Sequence, residues 1–211
     1  MEGKFIVFEG IEGSGKSTQS RLLGTWLGSL GIAHDVTREP GGTAVGEAVR
    51  GLLLHGYDMP VRTELMLYLA ARSAYVAERV GPALAAGKVV VSDRYELSTL
   101  AYQGYGRGLP LEEVRAANRV ATGGLRADLT IVIEVPAAVG GSRVSGRGGR
   151  DRIERESVAF HERVAAGYRR LTQTESGVEA VDGTGSPEQV HAAVVRLLQG
   201  RFPETFAAKK V

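Results

Sequence analysis

The sequence contains no cysteine, and this absence excludes disulfide bonds, thiolate metal sites and cysteine nucleophiles. An excess of charge of one sign is also missing, because 26 basic and 24 acidic side chains leave a net charge of +2. So small a charge provides no electrostatic reason to expect a nucleic-acid partner. Charged and apolar residues occur in the proportions of an ordinary globular protein.

A long hydrophobic run is absent as well, and no segment is predicted to be a transmembrane helix. The first apolar segment, Lys4–Glu9, is too short for a signal peptide and has the wrong flanking residues. We therefore expect a cytoplasmic protein without a membrane partner. The length of 211 residues suits one α/β domain with a sizeable core.

Lysine occurs at only five positions, and one of these lysines completes a glycine-rich motif. The run Gly10-Ile11-Glu12-Gly13-Ser14-Gly15-Lys16-Ser17 has the spacing G-x-x-x-x-G-K-[ST]. It follows the β-rich run Lys4–Glu9 and precedes Thr18–Leu30, whose apolar residues recur at helical spacing. A strand, a loop and a helix in this order are typical of a phosphate-binding loop.

The chemistry of this loop follows from the residue types in it. The glycines allow successive backbone N–H groups to point at phosphate oxygens, and the helix that begins at Ser17 adds its positive N-terminal end. Lys16 is expected to reach the β- and γ-phosphates of a nucleotide, and the Ser17 hydroxyl is expected to bind Mg²⁺. The alternative is a glycine-rich turn that matches the spacing by chance.

Hydrophobic periodicity predicts an α/β fold in which helices flank both faces of a central parallel five-stranded sheet. Strands are predicted at Lys4–Glu9, His34–Thr37, Lys88–Asp93, Asp128–Val135 and Val178–Val181. Helices are predicted at Ser17–Leu30, Ala44–Leu54, Thr63–Ala86, Glu96–Tyr102, Leu111–Ala121 and Arg152–Leu171, and after Ser186. A loop is predicted at Gly140–Gly149, and the tail, residues 202–211, is expected to be flexible.

Further segments narrow the class of nucleotide-binding protein. They are Asp93-Arg94-Tyr95, Arg38-Glu39-Pro40-Gly41-Gly42-Thr43 and the arginine-dense segment that ends in Arg150-Asp151-Arg152-Ile153-Glu154. Together with Ala101-Tyr102-Gln103-Gly104 and Leu67–Arg72, they resemble in order and spacing the bacterial thymidylate kinases. Those enzymes transfer the γ-phosphoryl group of ATP to dTMP, and the resemblance extends from Phe5 to about Leu198.

The resemblance implies a P-loop kinase fold over residues 1–211, a three-layer sandwich with a mobile arginine-rich lid at about residues 140–151. It also implies Mg²⁺-dependent in-line transfer that yields dTDP and ADP, and a homodimer formed through helices that include the long one. Asp93 would end a strand beside the phosphate-binding loop, from which it can approach the metal or its waters. It could also cap the following helix, and both roles can hold together.

The resemblance further implies where the adenine of ATP binds. It would lie near Arg152, where the helix after the lid is predicted to begin, and near the loop Val181–Thr184. That loop could equally be a simple turn between a strand and a helix.

Gly13 lies where one branch of the family has an arginine, so the cation that stabilises the transferred phosphoryl group is expected in the lid. Arg147 is the first candidate and Arg143 the second, while Ser145 stands where relatives often have another arginine. The glycines of this segment suit a lid that closes. The alternative is a solvated basic loop.

A phosphate oxygen of dTMP should be the nucleophile, because a phosphomonoester with a second pKa of about 6 is largely a dianion at neutral pH. It needs charge neutralisation and no general base, and Arg94 fits that requirement. Arg38 is expected to assist, although it could also be a surface residue beside the turn. Glu12 could position the sugar hydroxyl of the acceptor or the waters of the metal.

The resemblance assigns recognition of the base to two residues four positions apart on one helix face. Tyr68 would stack on thymine, and Arg72 would donate to its O4 atom. Tyr102 would crowd the 2′ position and so disfavour ribonucleotides, and Gln103 has the amide needed to contact the sugar or the base edge. For both tyrosines, ordinary packing in an amphipathic helix is the alternative interpretation.

Two other classes of protein are compatible with a phosphate-binding loop. A deoxynucleoside kinase would act on an uncharged hydroxyl and would need a carboxylate base, for which Glu9 or Asp93 could be imagined. A nucleotide-driven switch or ATPase would need a residue that positions water, and we find no persuasive candidate. Arginines at the acceptor site favour a phosphate acceptor over a nucleoside, and the arginine-rich lid favours transfer to a second substrate over a switch or ATPase.

Overall fold

A parallel sheet of five strands forms the centre of the structure, a computed structural model that describes residues 2–55, 58–145 and 151–206. The strands are β1 (Lys4–Glu9), β2 (His34–Arg38), β3 (Val89–Asp93), β4 (Leu129–Glu134) and β5 (Val178–Asp182), in the spatial order β2-β3-β1-β4-β5. β1 pairs with β3 on one side and with β4 on the other, and Phe8 is aligned with Asp93. The predicted parallel sheet is confirmed.

Helices cover both faces of this sheet. They are α1 (Lys16–Ser29), α2 (Ala44–His55), α3 (Val61–Tyr75), α4 (Gly81–Ala85), α5 (Glu96–Thr99), α6 (Leu111–Thr122), α7 (Ala137–Ser145), α8 (Val158–Thr174), α9 (Pro187–Arg201) and α10 (Pro203–Phe206), with π-helical segments at Val76–Val80 and Leu100–Gly106. On one face, Leu23 of α1 and Val194 of α9 pack with Ile131. On the other face, Phe160 of α8 belongs to a second core with Val132. The predicted three layers are confirmed.

The long helix predicted at Thr63–Ala86 is divided in the structure. α3 is followed by the π-helical segment Val76–Val80, and α4 begins at Gly81. Pro82 explains the division, because proline has no N–H for the helical hydrogen bond and its ring clashes with the preceding turn. The π-helical turn accommodates this misfit, and the Gly81 N–H donates to Val76 O.

The segment between β4 and α8 departs furthest from its prediction. The loop expected from Gly140 onward is wrong in its first part, because α7 extends to Ser145. α7 brings Gly140 so close to the phosphate-binding loop that a Cβ atom would lie 2.6 Å from Glu12 O. Glycine here therefore permits a close backbone approach within a helix. Residues 146–150, which include the predicted lid residue Arg147, lie outside the described residues.

The helix predicted from Arg152 begins later, at Val158. Asp151 Oδ1 accepts two backbone N–H groups of the residues that follow it, at 2.8 and 2.9 Å, and so stabilises a turn. Ser157 then caps α8 with its side chain. The turn and the cap together delay the start of the helix.

The end of the chain is ordered further than predicted. α10 lies within the tail that was expected to be flexible, and Phe206 is fully buried beside Trp26. Residues 207–211 are outside the part of the chain that the structure describes. Across the described ranges, no helix is both long enough and apolar enough to cross a membrane.

Candidate active site

The phosphate-binding loop joins β1 to α1 at the carboxyl edge of the sheet. Three of its glycines have positive φ angles, 138° at Gly10, 73° at Gly13 and 106° at Gly15, a region that other residues rarely adopt. α1 begins at Lys16, so its positive N-terminal end faces the loop. The backbone therefore has the strand, loop and helix order that was predicted.

Lys16 and Ser17 lie at the start of α1 with their polar atoms directed at the loop and at β3. Lys16 Nζ donates to Ile11 O at 2.8 Å, and burial together with the charge of Arg94 lowers the pKa of Lys16. Ser17 Oγ donates to Asp93 Oδ2 at the end of β3. A hydroxyl and a carboxylate in contact fit Mg²⁺, which usually takes one or two protein oxygens besides phosphate oxygens and water.

The backbone of α7 packs directly against the phosphate-binding loop. A Cβ atom at Gly13 would lie 2.2 Å from Gly140 O, so this arrangement has no room for an arginine in the loop. Arg143 Nη1 donates to Gly13 O at 3.4 Å and to Gly183 O at 3.3 Å. Of the two predicted lid arginines, Arg143 therefore lies beside the loop, and Arg147 is outside the described residues.

A cavity of about 260 Å³ opens between the phosphate-binding loop, α2, α3 and the segment after β3. Most residues predicted for the two substrate sites line it. These residues are Glu12, Gly13, Gly15, Lys16, Ser17, Arg38, Tyr68, Asp93, Arg94, Tyr102 and Gln103. The structure thus brings the predicted donor and acceptor residues together around one space.

Arg94 is held between the two sides of this cavity. Its φ angle of 76° is unusual for a residue with a side chain, and strain of this kind is common at functional sites. Its N–H donates to Phe8 O at 2.9 Å, which holds this backbone beside β1. The guanidinium donates to Glu12 Oε1, and to Tyr102 OH and Gly10 O at 3.2 Å each. Arg94 therefore contacts both the phosphate-binding loop and the opposite wall.

Glu9, at the end of β1, holds two side chains that contact Arg94. Oε1 accepts from Tyr95 N at 2.8 Å and from Ser98 N at 3.0 Å. Oε2 accepts from Ser98 Oγ at 2.6 Å and from Tyr168 OH at 2.8 Å. Ser98 and Tyr168 in turn each contact Arg94 Nη1. Both oxygens of this fully buried carboxylate are occupied, so Glu9 is poorly suited to act as a general base.

Glu12 connects the phosphate-binding loop with Arg94 and is strongly acidic. Burial opposes its ionisation, but Arg94 and Lys16 outweigh burial and lower the pKa of Glu12 to about 2. Tyr102 OH adds a hydrogen bond at 3.4 Å. Glu12 is consequently a carboxylate at neutral pH, placed where the donor and acceptor sides of the cavity meet.

Two arginines line the cavity beside the turn after β2. Arg38 Nη2 donates to Glu47 at 3.0 and 3.1 Å, and half of the Arg38 side chain is exposed. Arg50 of α2 donates to Pro40 O at 2.9 Å. Sequence reasoning missed Arg50, although this arginine adjoins the buried stripe of an amphipathic helix. An arginine at the border of an apolar stripe is common in amphipathic helices, so this position gave no specific signal for a site.

The predicted base-binding residues Tyr68, Tyr102 and Gln103 share one wall of the cavity. Burial raises the pKa of Tyr68 and that of Tyr102, so both phenols are neutral in the physiological range. Gln103 Nε2 donates to Glu64 Oε1 at 2.8 Å. Aromatic rings and one amide thus provide surfaces for stacking and for hydrogen bonding.

Arg72 lies behind this wall and does not line the cavity. Its guanidinium donates to Glu39 Oε2 at 2.8 Å, Thr99 Oγ1 at 2.6 Å, Asn118 Oδ1 at 2.7 Å and Tyr95 O at 2.9 Å. Since a second N–H group also faces Glu39, all five donors are engaged. In this arrangement Arg72 holds Glu39 and Thr99, and its contact with thymine O4 stays a prediction.

Arg152, which was predicted to bind ATP, packs on the acceptor side. Its Nε donates to Leu53 O at 2.9 Å, and its Nη2 lies 2.6 Å from Glu64 Oε2. Its backbone N–H donates to Leu54 O at 3.1 Å. The turn that carries Arg152 is therefore held against α2 and α3, and the placement of this residue beside the adenine stays a prediction.

The fold and the site define a class of protein. A phosphate-binding loop and a group of arginines on the opposite wall line the same cavity, and Arg94 contacts both sides. A site with cations for two phosphorylated ligands is typical of a P-loop kinase, which transfers a phosphoryl group by positioning and charge stabilisation.

Comparison with known proteins specifies the class further. The Thymidylate kinase family profile matches residues 8–194. A thymidylate kinase of Carboxydothermus hydrogenoformans is 47% identical over 201 residues, which cover 95% of this chain and 98% of that protein. One of Desulforudis audaxviator is 52% identical over 180 residues, which cover 84% and 81%.

A solved structure agrees with this comparison. The thymidylate kinase of Ehrlichia chaffeensis matches with a TM-score of 0.76 and 30% identity, over 94% of this chain and 100% of that chain. The chain belongs to the thymidylate kinase family.

Proposed function

We propose that the protein transfers the γ-phosphoryl group of ATP to dTMP and yields dTDP and ADP. One observation carries the proposal: Lys16 of the donor loop and Arg94 of the acceptor wall line the same cavity. Two polyanionic substrates repel each other, and fixed cations on both sides reduce that repulsion while they stabilise charge in the transition state.

The donor side of the proposed site is the phosphate-binding loop with its metal ligands. Its N–H groups and Lys16 would hold the β- and γ-phosphates. Ser17 and Asp93 would hold Mg²⁺, which when bound neutralises negative charge on these phosphates. Among the described residues, Arg143 is the candidate for a lid cation over ATP. Arg147 remains a candidate from the sequence.

The acceptor side begins with the cations around Arg94. This arginine would bind the phosphate of dTMP, with Arg50 and Arg38 on the wall beside the turn after β2. Planar guanidinium groups suit phosphate because they donate two parallel hydrogen bonds. The phosphate dianion is itself the nucleophile, so the proposal requires no base. This agrees with a Glu9 carboxylate whose oxygens are already occupied.

The nucleoside part of dTMP would occupy the wall formed by Tyr68, Tyr102 and Gln103. Tyr68 would stack on the thymine ring, and Tyr102 would crowd a 2′-hydroxyl and so disfavour ribonucleotides. The Gln103 amide would hydrogen-bond to the polar edge of the base. Arg72 would act indirectly, since it holds Thr99 and Glu39 in the wall.

The remaining parts of the proposal concern the whole protein. We place the reaction in the cytoplasm, where ATP and dTMP are used together. We also propose a homodimer formed through α3 and the neighbouring helix α2. Met66 of α3 is 58% exposed, and Leu52 of α2 is 48% exposed. Residues 1–211 would form one kinase domain, with a lid at about residues 140–151.

The test is a coupled assay of ADP release with Mg²⁺ and ATP against a panel of acceptors. We expect turnover with dTMP far above that with UMP, CMP or thymidine. Weak use of dUMP is compatible with the proposal, because a missing methyl group changes discrimination by only about 1–3 kcal/mol. A preference for thymidine over dTMP would overturn the acceptor assignment in favour of a nucleoside kinase.

A further inference from the structure

A buried carboxylate that sequence reasoning did not consider lies directly behind the base-binding wall. Glu64 of α3 is 1% exposed, and its Oε1 accepts the hydrogen bond from Gln103 Nε2 at 2.8 Å. Gln103 is also buried, yet it lines the cavity. Glu64 itself does not touch the cavity, so any effect on a substrate must act through Gln103.

Two arginines hold Glu64 in its ionised form. Arg107 donates from Nε and Nη2 at 3.1 and 3.0 Å, and Arg152 Nη2 lies 2.6 Å from Oε2. Burial opposes ionisation, but the hydrogen bonds from Arg107 and Gln103 outweigh burial and lower the pKa of Glu64. An ionised carboxylate only accepts hydrogen bonds.

The charge of Glu64 therefore determines which way the Gln103 amide points. Only the NH₂ end of an amide can donate to a carboxylate, so Nε2 must face Glu64. The amide atom left for a ligand is Oε1, an acceptor, which makes no hydrogen bond to any other residue in the described ranges. An amide between two neutral partners could reverse, but this one is fixed by a buried charge.

We propose that Glu64 is a positioning residue for base selection, which holds Gln103 with its carbonyl oxygen toward the nucleobase. The proposal rests on the proposed function, because it assumes a pyrimidine monophosphate in the cavity. At ring position 3, thymine and uracil carry an N–H donor, whereas cytosine has an unprotonated nitrogen acceptor. A fixed acceptor from Gln103 pairs with the first and opposes the second. Glu64 thereby selects against cytosine without contacting the base.

A purely structural role for Glu64 is the competing explanation, because its ion pairs also join α3 to the turn that contains Arg152. The two explanations differ in what they predict for selectivity. A structural role affects the free energy of unfolding and acts on all acceptors alike. An orienting role changes the ratio of kcat/KM for dTMP to that for dCMP.

The experiment measures this ratio with ATP and Mg²⁺ in the full-length protein and three variants. In Glu64→Gln, the neutral partner permits either orientation of the Gln103 amide. We expect the ratio of kcat/KM for dTMP to that for dCMP to fall at least about tenfold, mainly through KM.

The double variant Glu64→Gln/Gln103→Glu exchanges the two side chains. The new amide at position 64 on α3 can donate to the new carboxylate at position 103, which lines the cavity. The second oxygen of that carboxylate is again an acceptor toward the base, so most of the ratio should return.

Glu156→Gln is the matched control. It removes the other ion pair of Arg107, at 2.6 Å, without touching Gln103, and it should leave the ratio unchanged. If Glu64→Gln does not fold, the double variant carries the test alone, because it keeps one negative charge beside Arg107 and Arg152.

Each outcome decides between the explanations. A wild-type ratio in Glu64→Gln, or a folded double variant that has lost its preference for dTMP, overturns the orienting role. A wild-type protein that does not prefer dTMP to dCMP contradicts the proposed function first, and this failure is distinct because it is seen before any variant is made.

Discussion

Arg94 is the residue at which the two halves of the site meet. Its backbone takes a φ angle of 76° beside β1, and its guanidinium contacts Glu12, Gly10 and Tyr102. The strained backbone is stabilised by the hydrogen bond from its N–H to Phe8 of β1. The Glu9 carboxylate also accepts the N–H of the next residue, Tyr95. A cation held this firmly requires little reorganisation when a phosphate binds.

We expect Arg94→Ala to lower kcat/KM for dTMP by roughly 100-fold while ATP binding changes much less, because charged hydrogen bonds contribute about 1.5–3 kcal/mol each. Steady-state kinetics with each substrate varied in turn measures the two effects. Arg38→Ala is the comparison, and we expect a smaller loss because Arg38 is 51% exposed and paired with Glu47. An equal loss for ATP and dTMP would instead indicate collapse of the fold.

Glu12 should make the stability of the protein depend on acid pH. Its pKa is about 2 in the folded protein and 4.5 ordinarily, so it stabilises the fold fully above pH 4.5 and loses that contribution as pH falls toward 2. We expect urea midpoints between pH 5 and pH 3 to fall more steeply for the wild type than for Glu12→Gln. Parallel curves for the two proteins would show that Arg94 does not stabilise the Glu12 carboxylate.

At the scale of elements, the contact between α7 and the phosphate-binding loop positions the donor side. Gly13 and Gly140 approach each other backbone to backbone, which only residues without a Cβ atom permit. Arg143, one turn further along α7, donates to the carbonyl groups of this loop and of the loop after β5. α7 therefore packs on the donor side of the cavity, and it contains the described residues of the proposed lid that contact the phosphate-binding loop.

Gly140→Ala tests this contact, because the new methyl group would lie 2.6 Å from Glu12 O. An alanine inside a helix normally adds about 0.5–1 kcal/mol of stability, so a loss would have to come from the close approach. We expect KM for ATP to rise several-fold and KM for dTMP to change less. Gly141→Ala is the matched control on the same helix, because a Cβ atom there meets none of the described residues within 4 Å. Equal kinetics in both variants would contradict the proposed importance of the contact.

At the scale of the whole molecule, the binding of substrate is coupled to folding. A ligand that binds only the folded state at 100 times its Kd stabilises the protein by about 2.7 kcal/mol. For a chain of this size, we expect dTMP under those conditions to raise Tm by about 5–10 °C. Thymidine at the same concentration should raise it much less, because it lacks the phosphate for Arg94. Differential scanning calorimetry measures both shifts, and equal shifts would favour a nucleoside as the acceptor.

The phosphate-binding loop and the sheet were accessible to prediction because their determinants are contiguous in the chain. Gly10–Ser17 holds the loop residues in a single run, and the inner strands β1, β3 and β4 are largely apolar because helices cover both faces of a parallel sheet. The positions of Asp93 and Arg94 could be predicted for the same reason. Asp93 is the last residue of β3, and Arg94 comes directly after it.

Side chains whose roles depend on packing between distant elements could not be placed in this way. Arg72 faces Glu39 and Asn118, which are 33 and 46 positions away in the chain, and only the packing of α3 on these segments reveals that its donors are engaged. Arg152 contacts Leu53 and Glu64, which are likewise distant from it in the chain. Gly140 belongs to α7, whose packing against the phosphate-binding loop the local sequence does not reveal.

The sequence by itself determined that this chain binds nucleotide phosphates on a parallel α/β sheet, because that chemistry depends on local spacing. Only the tertiary structure decided which side chains line the cavity and which hold them in place without lining it. Glu64 and Gln103 are 39 positions apart, and their contact depends on how α3 packs against the π-helical segment after α5. Such contacts arise from packing between helices, which no local pattern in the chain encodes.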